Sequence, residues 1–156
     1  MMAHDHDVCL RVEFLVGAAE FFFDAVAIRP GKPAVFGRCG HTFVFGLPGN
    51  PVSTMVTFEL FVPPAIDLLS GTEARPLPLV EARLGAAVRE KPGMTHFLPA
   101  RVEWASGTPE VRALAWQGSG DAVAVARANC FLVVPQEKET LEAGESVRIL
   151  LRKDVI

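Results

Sequence analysis

The 156-residue chain contains no tyrosine, only two tryptophans and only three cysteines. Cys9, Cys39 and Cys130 are odd in number and far apart, which suits neither a disulfide framework nor a zinc site with paired ligands. A basic excess is missing as well. The net charge is −3, so no positive field draws the chain to nucleic acid or anionic lipid. No apolar run approaches the roughly 20 residues that span a bilayer. The opening "MMAHDHDV" lacks the basic start and apolar segment of a secretion signal. There is no G-x-S-x-G elbow, no Walker loop and no paired Cys and His, so nucleophilic catalysis has no candidate. Half of the residues are apolar and 21% are charged, the composition of a globular protein. The expectation is a cytoplasmic protein that engages neither nucleic acid nor membrane.

What is present changes character near residues 70–78, "SGTEARPLP". Upstream, apolar segments alternate between helix and strand lengths; downstream they are short and strand-like. Val8, Val12, Leu15 and Val16 recur at helical spacing, and Gly17 supplies a stop. Residues 20–28 read as one strand, followed by the loop "RPGKP", and "AVFG" and "TFVFGL" as two more strands. "TFVFGL" has no polar alternation, which predicts a strand covered on both faces. A long helix starts at Pro51: Asn50 is a good N-cap, able to accept from a first-turn N–H, and proline suits the first helical position. Apolar residues cover nearly its whole circumference, which predicts burial in a core or against a second subunit. Pro63 and Pro64 are expected to kink or interrupt it.

Downstream, "HFLPARVEW" alternates, with Leu98, Ala100, Val102 and Trp104 on one face and Arg101 and Glu103 on the other. "PEVRALAW", "NCFLVVP" and "SVRILL" read as further strands, and "DAVAVARA" as a short helix with Asp121 near its N-terminus. This part predicts a β-barrel or sandwich. The first part has too few strands for a covered parallel sheet, so the chain reads as a fragment of a larger protein.

Four stretches carry candidate chemistry. In "RPGKP", Arg29 and Lys32 flank a Pro-Gly turn, and could grip a phosphate, Arg by its fork and Lys as a point charge; the alternative is a solvated turn. "LPGNP" lies between a strand and a helix N-terminus, where free N–H groups and the Ser53 hydroxyl could receive an anion; the alternative is a plain structural cap. Two Pro-Gly loops in succession, each after a strand, favour an anion site. His4, Asp5, His6 and Asp7 offer ligands for a divalent ion, against a simple polar N-terminus. "QGSG", residues 117–120, is a hairpin or cap unless the fold places it beside the first two loops.

"VAIRPGKPAVFG", "FGLPGNPVSTMVTFELFVPPAI", "THFLPARVEW" and "QGSGDAVAVARAN" together closely resemble the molybdopterin molybdenumtransferase family, which includes the E domain of gephyrin. The resemblance runs in order along essentially the whole chain and corresponds to the C-terminal part of such a protein. It implies an α/β fold class: the last portion of a molybdopterin-binding α/β domain over residues 1–74, then a small all-β barrel over 75–156. The implied reaction inserts molybdate into adenylylated molybdopterin, giving molybdenum cofactor and AMP, with Mg2+ assisting, in a homodimer. It places catalytic roles on Asp7, Arg29 and Lys32, and substrate binding on Pro30, Gly31, Pro48, Gly49, Asn50, Pro51, Ser53 and Ser119. Asp7, with Asp5 as the alternative, takes the metal. Family sites lie where this domain meets a partner subunit's barrel, which would bring Gly118, Ser119 and Gly120 near. Gephyrin-type relatives also imply a non-catalytic alternative, a dimeric scaffold that binds peptides. The glycine- and serine-rich stretch before the family Asp is absent, and Ala25 stands where some members carry Lys.

Overall fold

The computed structural model describes residues 19–104, 107–152 and 154. The predicted first helix, Cys9 and the candidates at His4, Asp5, His6 and Asp7 lie outside the described residues. Ahead of the barrel come β1 (Ala19–Phe23), β2 (Ile28–Arg29), β3 (Val35–Cys39), β4 (Thr42–Gly46) and helix α1 (Pro51–Leu69). Then follow β5 (Leu79–Leu84), β6 (Val88–Arg89), β7 (Thr95–Glu103), β8 (Glu110–Ala113), α2 (Ala122–Arg127), β9 (Cys130–Val134), β10 (Thr140–Leu141) and β11 (Ser146–Leu151).

Five of these strands close a barrel in the order β7-β8-β5-β11-β9, with β9 pairing back onto β7. Of barrel and sandwich, the structure takes the barrel, which leaves no open edge in that ring. Its interior is filled by alternate residues, among them Leu98, Ala100 and Val102 of β7, Leu132 and Val134 of β9, and Ile149 of β11. Arg101 and Glu103 face solvent, as the alternation requires. Trp104 does not share the buried face. It lies past the end of β7 and is 64% exposed. Cys130 is wholly buried, and burial pushes its thiol up to about 12, so it packs rather than reacts.

Strand β9, "CFLVV", is buried at every position. One face fills the barrel; the other carries Phe131 and Val133 into a second buried cluster with Phe97, Leu150 and the α1 residues Val52 and Val56. The unbroken apolar run is thus explained: this patch of barrel wall is covered by a helix. Helix α1 buries the stripe Val52, Val56, Glu59 and Asp67, together with Ser53 and Thr57. The burial expected all round is confined to that side among the described residues, since Phe58, Ile66, Leu68 and Leu69 are exposed.

Pro63 and Pro64 do not end the helix, which runs on to Leu69. Attachments at both ends, together with packing on the barrel, outweigh the lost backbone bonds. At its C-terminal end, Arg75 holds Asp67 with Nε and Nη2 at 2.9 and 2.7 Å, and the Thr72 hydroxyl donates to the Asp67 carbonyl. The continuous helix has 19 residues and a mean hydropathy of 1.4, so by length and composition alone it could span a membrane. That differs from the sequence expectation that no apolar run approaches that length.

The strand expected over residues 20–28 divides in two. β1 shifts register between Phe21 and Phe23 and pairs antiparallel with β3, whereas β2 leaves for the barrel and pairs parallel with β7. The β1-β3-β4 sheet is wholly antiparallel. β4 is not covered on both faces by the described residues; Phe43 is 38% exposed. Phe23 meets Phe61 of α1 with ring centroids 5.3 Å apart, which seats the sheet beside the helix. "PEVRALAW" is strand only through Ala113.

Candidate functional site

Two residues of β2 carry the first loop into place. So short a strand has no stability of its own, and its position comes from β7: Ile28 registers with Thr95 and Arg29 with His96. The Thr95 N–H donates to the Ala27 carbonyl at 3.0 Å. After Arg29 the chain turns sharply. Pro30 and Gly31 are buried, and the Val26 N–H donates to the Lys32 carbonyl at 2.9 Å, closing the loop at its base. Arg29 and Lys32 remain exposed. The loop is therefore a buried turn with its two cations turned outward, not a freely solvated one.

The second loop is fastened to the helix that follows it. The Thr54 hydroxyl donates to the carbonyls of Pro48 and Asn50, so residues 48–50 are tied to the first turn of α1. Asn50 does not cap the helix with its side chain. Its carboxamide instead donates to Ser119 Oγ at 3.0 Å. The Val52 N–H, which sequence reasoning left free for an anion, donates to the Ser119 carbonyl at 3.0 Å, and Pro51 has no N–H. The helix N-terminus is thus partly consumed by the barrel loop, and the positive character here comes chiefly from Arg29 and Lys32.

The loop 117–120 joins the first two from within the same chain, although the resemblance implied the barrel of a partner subunit. It is shaped by Asp121, whose carboxylate accepts from the N–H groups of Ala124 at 2.9 Å and Gln117 at 3.0 Å. These bonds, that from Ala124 foremost, hold the carboxyl below its ordinary value of 3.8. A lowered carboxyl stabilises fully above the ordinary value and loses that contribution as pH falls through the lowered one. The melting gap between wild type and Asp121→Ala is therefore expected to be constant above about pH 5 and to narrow as pH falls below 3.8 through the lowered value. A gap indifferent to acid would remove the carboxylate from this role.

Together the three loops line a cleft of about 610 Å³ that contains Arg29 to Pro33, Pro48, Asn50, Ser53, Gly118 and Ser119. Gly49 is exposed at the tip of its loop and Pro51 begins the helix, both beside the lining rather than in it. Five lining residues were not singled out from the sequence: Ile28, Glu90, Met94, His96 and Trp116. Ile28 and Trp116 adjoin loops in the sequence, but Glu90, Met94 and His96 reach the cleft only through barrel closure, which leaves no local pattern. Thr54 was also missed, though a hydroxyl four residues after Asn50 is a local signal. A larger cavity of about 870 Å³ flanks the same barrel loop between Leu114–Trp116 and α2, but neither Pro-Gly loop lines it. The smaller cleft is the one where the cations meet the barrel.

For magnesium, the described residues offer no group of three His, Cys, Asp or Glu side chains. Glu90 in the cleft is engaged by His96 at 3.0 Å.

Two family models match the chain. The MoeA C-terminal region (domain IV) covers residues 81–151, and the probable molybdopterin binding domain covers 12–67. The molybdopterin molybdenumtransferase of Haemophilus influenzae is 36% identical over 139 residues, 86% of this chain and 33% of that protein. The enzyme of the same name from Staphylococcus aureus is 32% identical over 133 residues, 85% of this chain and 32% of that protein. The molybdopterin biosynthesis MoeA protein of Pyrococcus horikosii superposes with a TM-score of 0.74 at 30% identity, covering 92% of this chain and 35% of that one. A molybdenum cofactor biosynthesis protein of Pyrococcus furiosus gives 0.67 at 32% identity, covering 87% of this chain and 47% of that one. The chain thus spans about a third of the length of the curated relatives it matches. Its two parts are the end of a molybdopterin-binding α/β domain and the small barrel that follows it. The chain belongs to the molybdopterin molybdenumtransferase family and corresponds to the C-terminal portion of its members.

Proposed function

We propose that this chain supplies the oxyanion-handling part of a molybdenum-insertion site, in which molybdate enters adenylylated molybdopterin to give molybdenum cofactor and AMP. The observation that carries the reading is the convergence of Arg29, Lys32, Asn50, Ser53 and Ser119 on one cleft from three separate stretches of chain. The reaction must bring a dianionic oxyanion beside a pyrophosphate, so it needs cations already in position. A buried Pro-Gly turn holds the Arg29 fork and the Lys32 ammonium without further ordering of backbone. Ser119 Oγ accepts from Asn50, which leaves its own proton to donate toward a ligand oxygen. Ser53 offers a second hydroxyl from the first turn of α1. The residues 48–51 serve as the rigid seat on which these donors are set.

Magnesium belongs to the proposal through Asp7, with Asp5 as the alternative, and no step is derived through it. A homodimer in the cytoplasm is part of the same reading, supported by the apolar groups left outside: Phe22, Phe43 and Phe58 are 48%, 38% and 41% exposed. Those groups equally support the second reading, a non-catalytic scaffold that binds peptides.

Calorimetric titration with molybdopterin, followed by AMP, tests the site. Arg29→Ala and Lys32→Ala, made singly, are each expected to weaken binding by about ten- to a hundredfold, the worth of one charge-assisted hydrogen bond. Binding unchanged in both variants would sink the assignment. Peptide binding without any affinity for pterin or nucleotide would favour the scaffold.

A further inference from the structure

Among the described residues lining the cleft, Glu90 is the one carboxylate, in a site whose other charged side chains are Arg29, Lys32 and, when protonated, His96. A bare carboxylate there would repel an oxyanion and compete with it for the two cations. The fold answers this with His96. That residue is 2% exposed, its Nδ1 lies 3.0 Å from Glu90 Oε2, and its Nε2 lies 3.0 Å from the Lys91 carbonyl oxygen. Both partners are acceptors, so a ring carrying protons on both nitrogens donates to both, and in that form the pair has no net charge. Backbone bonds hold the two sides of this contact independently. The Glu90 N–H donates to the Glu139 carbonyl at 2.9 Å, while His96 is clamped in β7 between Arg29 on β2 and Val134 on β9.

We propose that His96 is a positioning residue that sequesters Glu90, so that the cleft presents Arg29 and Lys32 to an oxyanion instead of spending them on an internal ion pair. The proposal rests on the anion reading of the cleft and deepens it by naming what sets its charge. It also explains why a histidine is buried at this end of β7. An apolar residue would fill the space, but would free Glu90 to turn toward the cations.

The test is calorimetric titration of the whole chain with sodium molybdate, at a temperature where every variant is folded by circular dichroism. His96→Leu is expected to weaken molybdate binding tenfold or more. Adding Glu90→Gln to that variant is expected to restore most of the affinity, because the competing charge is gone. A merely structural histidine would not show this pattern, since a second substitution would not repair the first. His96→Gln, whose amide stands where Nε2 does and so meets the Lys91 carbonyl rather than Glu90, serves as a second disrupting variant should the leucine not fold. His96→Asn, whose amide nitrogen stands where Nδ1 does and can still donate to Glu90, is expected to bind within about threefold of wild type. Wild-type affinity in His96→Leu or His96→Gln would overturn the proposal. So would a double variant no tighter than its single parent. An absence of molybdate binding by the wild-type chain would overturn the anion reading itself, and this inference with it.

Discussion

Phe131→Ala is expected to lower stability by about 3–5 kcal/mol, the cost of emptying a large buried aromatic site. Phe131 is wholly buried on β9, between Cys130 and Leu132, which point into the barrel. It points outward into the cluster containing Val52, Val56 and Phe97. Its neighbours are held on the barrel wall and on the helix, so the space would persist as a void where the barrel meets the first turns of α1. For a chain of this size such a loss lowers the melting temperature by about 6–20 °C. The consequence reaches the site, because Asn50, Ser53 and Thr54 sit at the start of that helix. Urea unfolding measures the first effect, and molybdate titration of the folded variant the second. A loss below about 1 kcal/mol would mean that α1 is not seated on this face of the barrel.

A methyl group added at Gly31 is the second large effect, and it acts where the cationic loop touches the helix. Gly31 has φ of +124°, and an added Cβ would lie 2.7 Å from Thr57 Cγ2 and 3.0 Å from Ile28 Cδ1. The backbone conformation alone costs a side-chain-bearing residue about 1–3 kcal/mol. The contact cannot be relieved cheaply, since Thr57 is wholly buried and its hydroxyl donates to the Ser53 carbonyl at 2.8 Å. Overpacking of this kind adds about 1–3 kcal/mol. Gly31→Ala is therefore expected to destabilise by about 2 kcal/mol or more, and to weaken anion binding by lifting the loop from α1. Thr57→Ser, which removes the obstructing methyl and keeps the hydroxyl, should recover the steric part but not the backbone part. Unchanged melting together with unchanged affinity in Gly31→Ala would refute the close approach.

Several features of this architecture were legible because their causes are local. The start of α1 at Pro51 follows from proline's fixed φ, and the start of α2 from the Asp121 carboxylate, which does accept the Ala124 N–H. Alternation in β7 placed Leu98, Ala100 and Val102 inside and Arg101 and Glu103 outside. The two Pro-Gly loops were singled out for the same reason, since proline and glycine act on their own backbone. Misreadings arose where distant packing overruled a local preference. Residues 20–28 look like one strand, yet Ile28 and Arg29 pair with a strand almost seventy positions away. Pro63 and Pro64 are helix breakers by local rule, but a helix held at both ends and along one side keeps them. The Asn50 side chain is a good cap by composition, and in the folded chain it has a different partner in Ser119.

The sequence by itself determined four of the five barrel strands, β5 being missed, both helices that the described residues contain, the two Pro-Gly loops, and the family. All of these rest on torsional preferences, hydrophobic period and short motifs, which act over a few residues. Only the tertiary structure decided that loop 117–120 reaches the head of α1 within one chain, that β2 hangs on β7 in parallel, and that His96 faces Glu90. Those placements come from closing a five-stranded barrel and burying its outer face under a helix. Both steps join apolar surface and backbone partners that lie far apart in the chain, and no local pattern records which of them will meet.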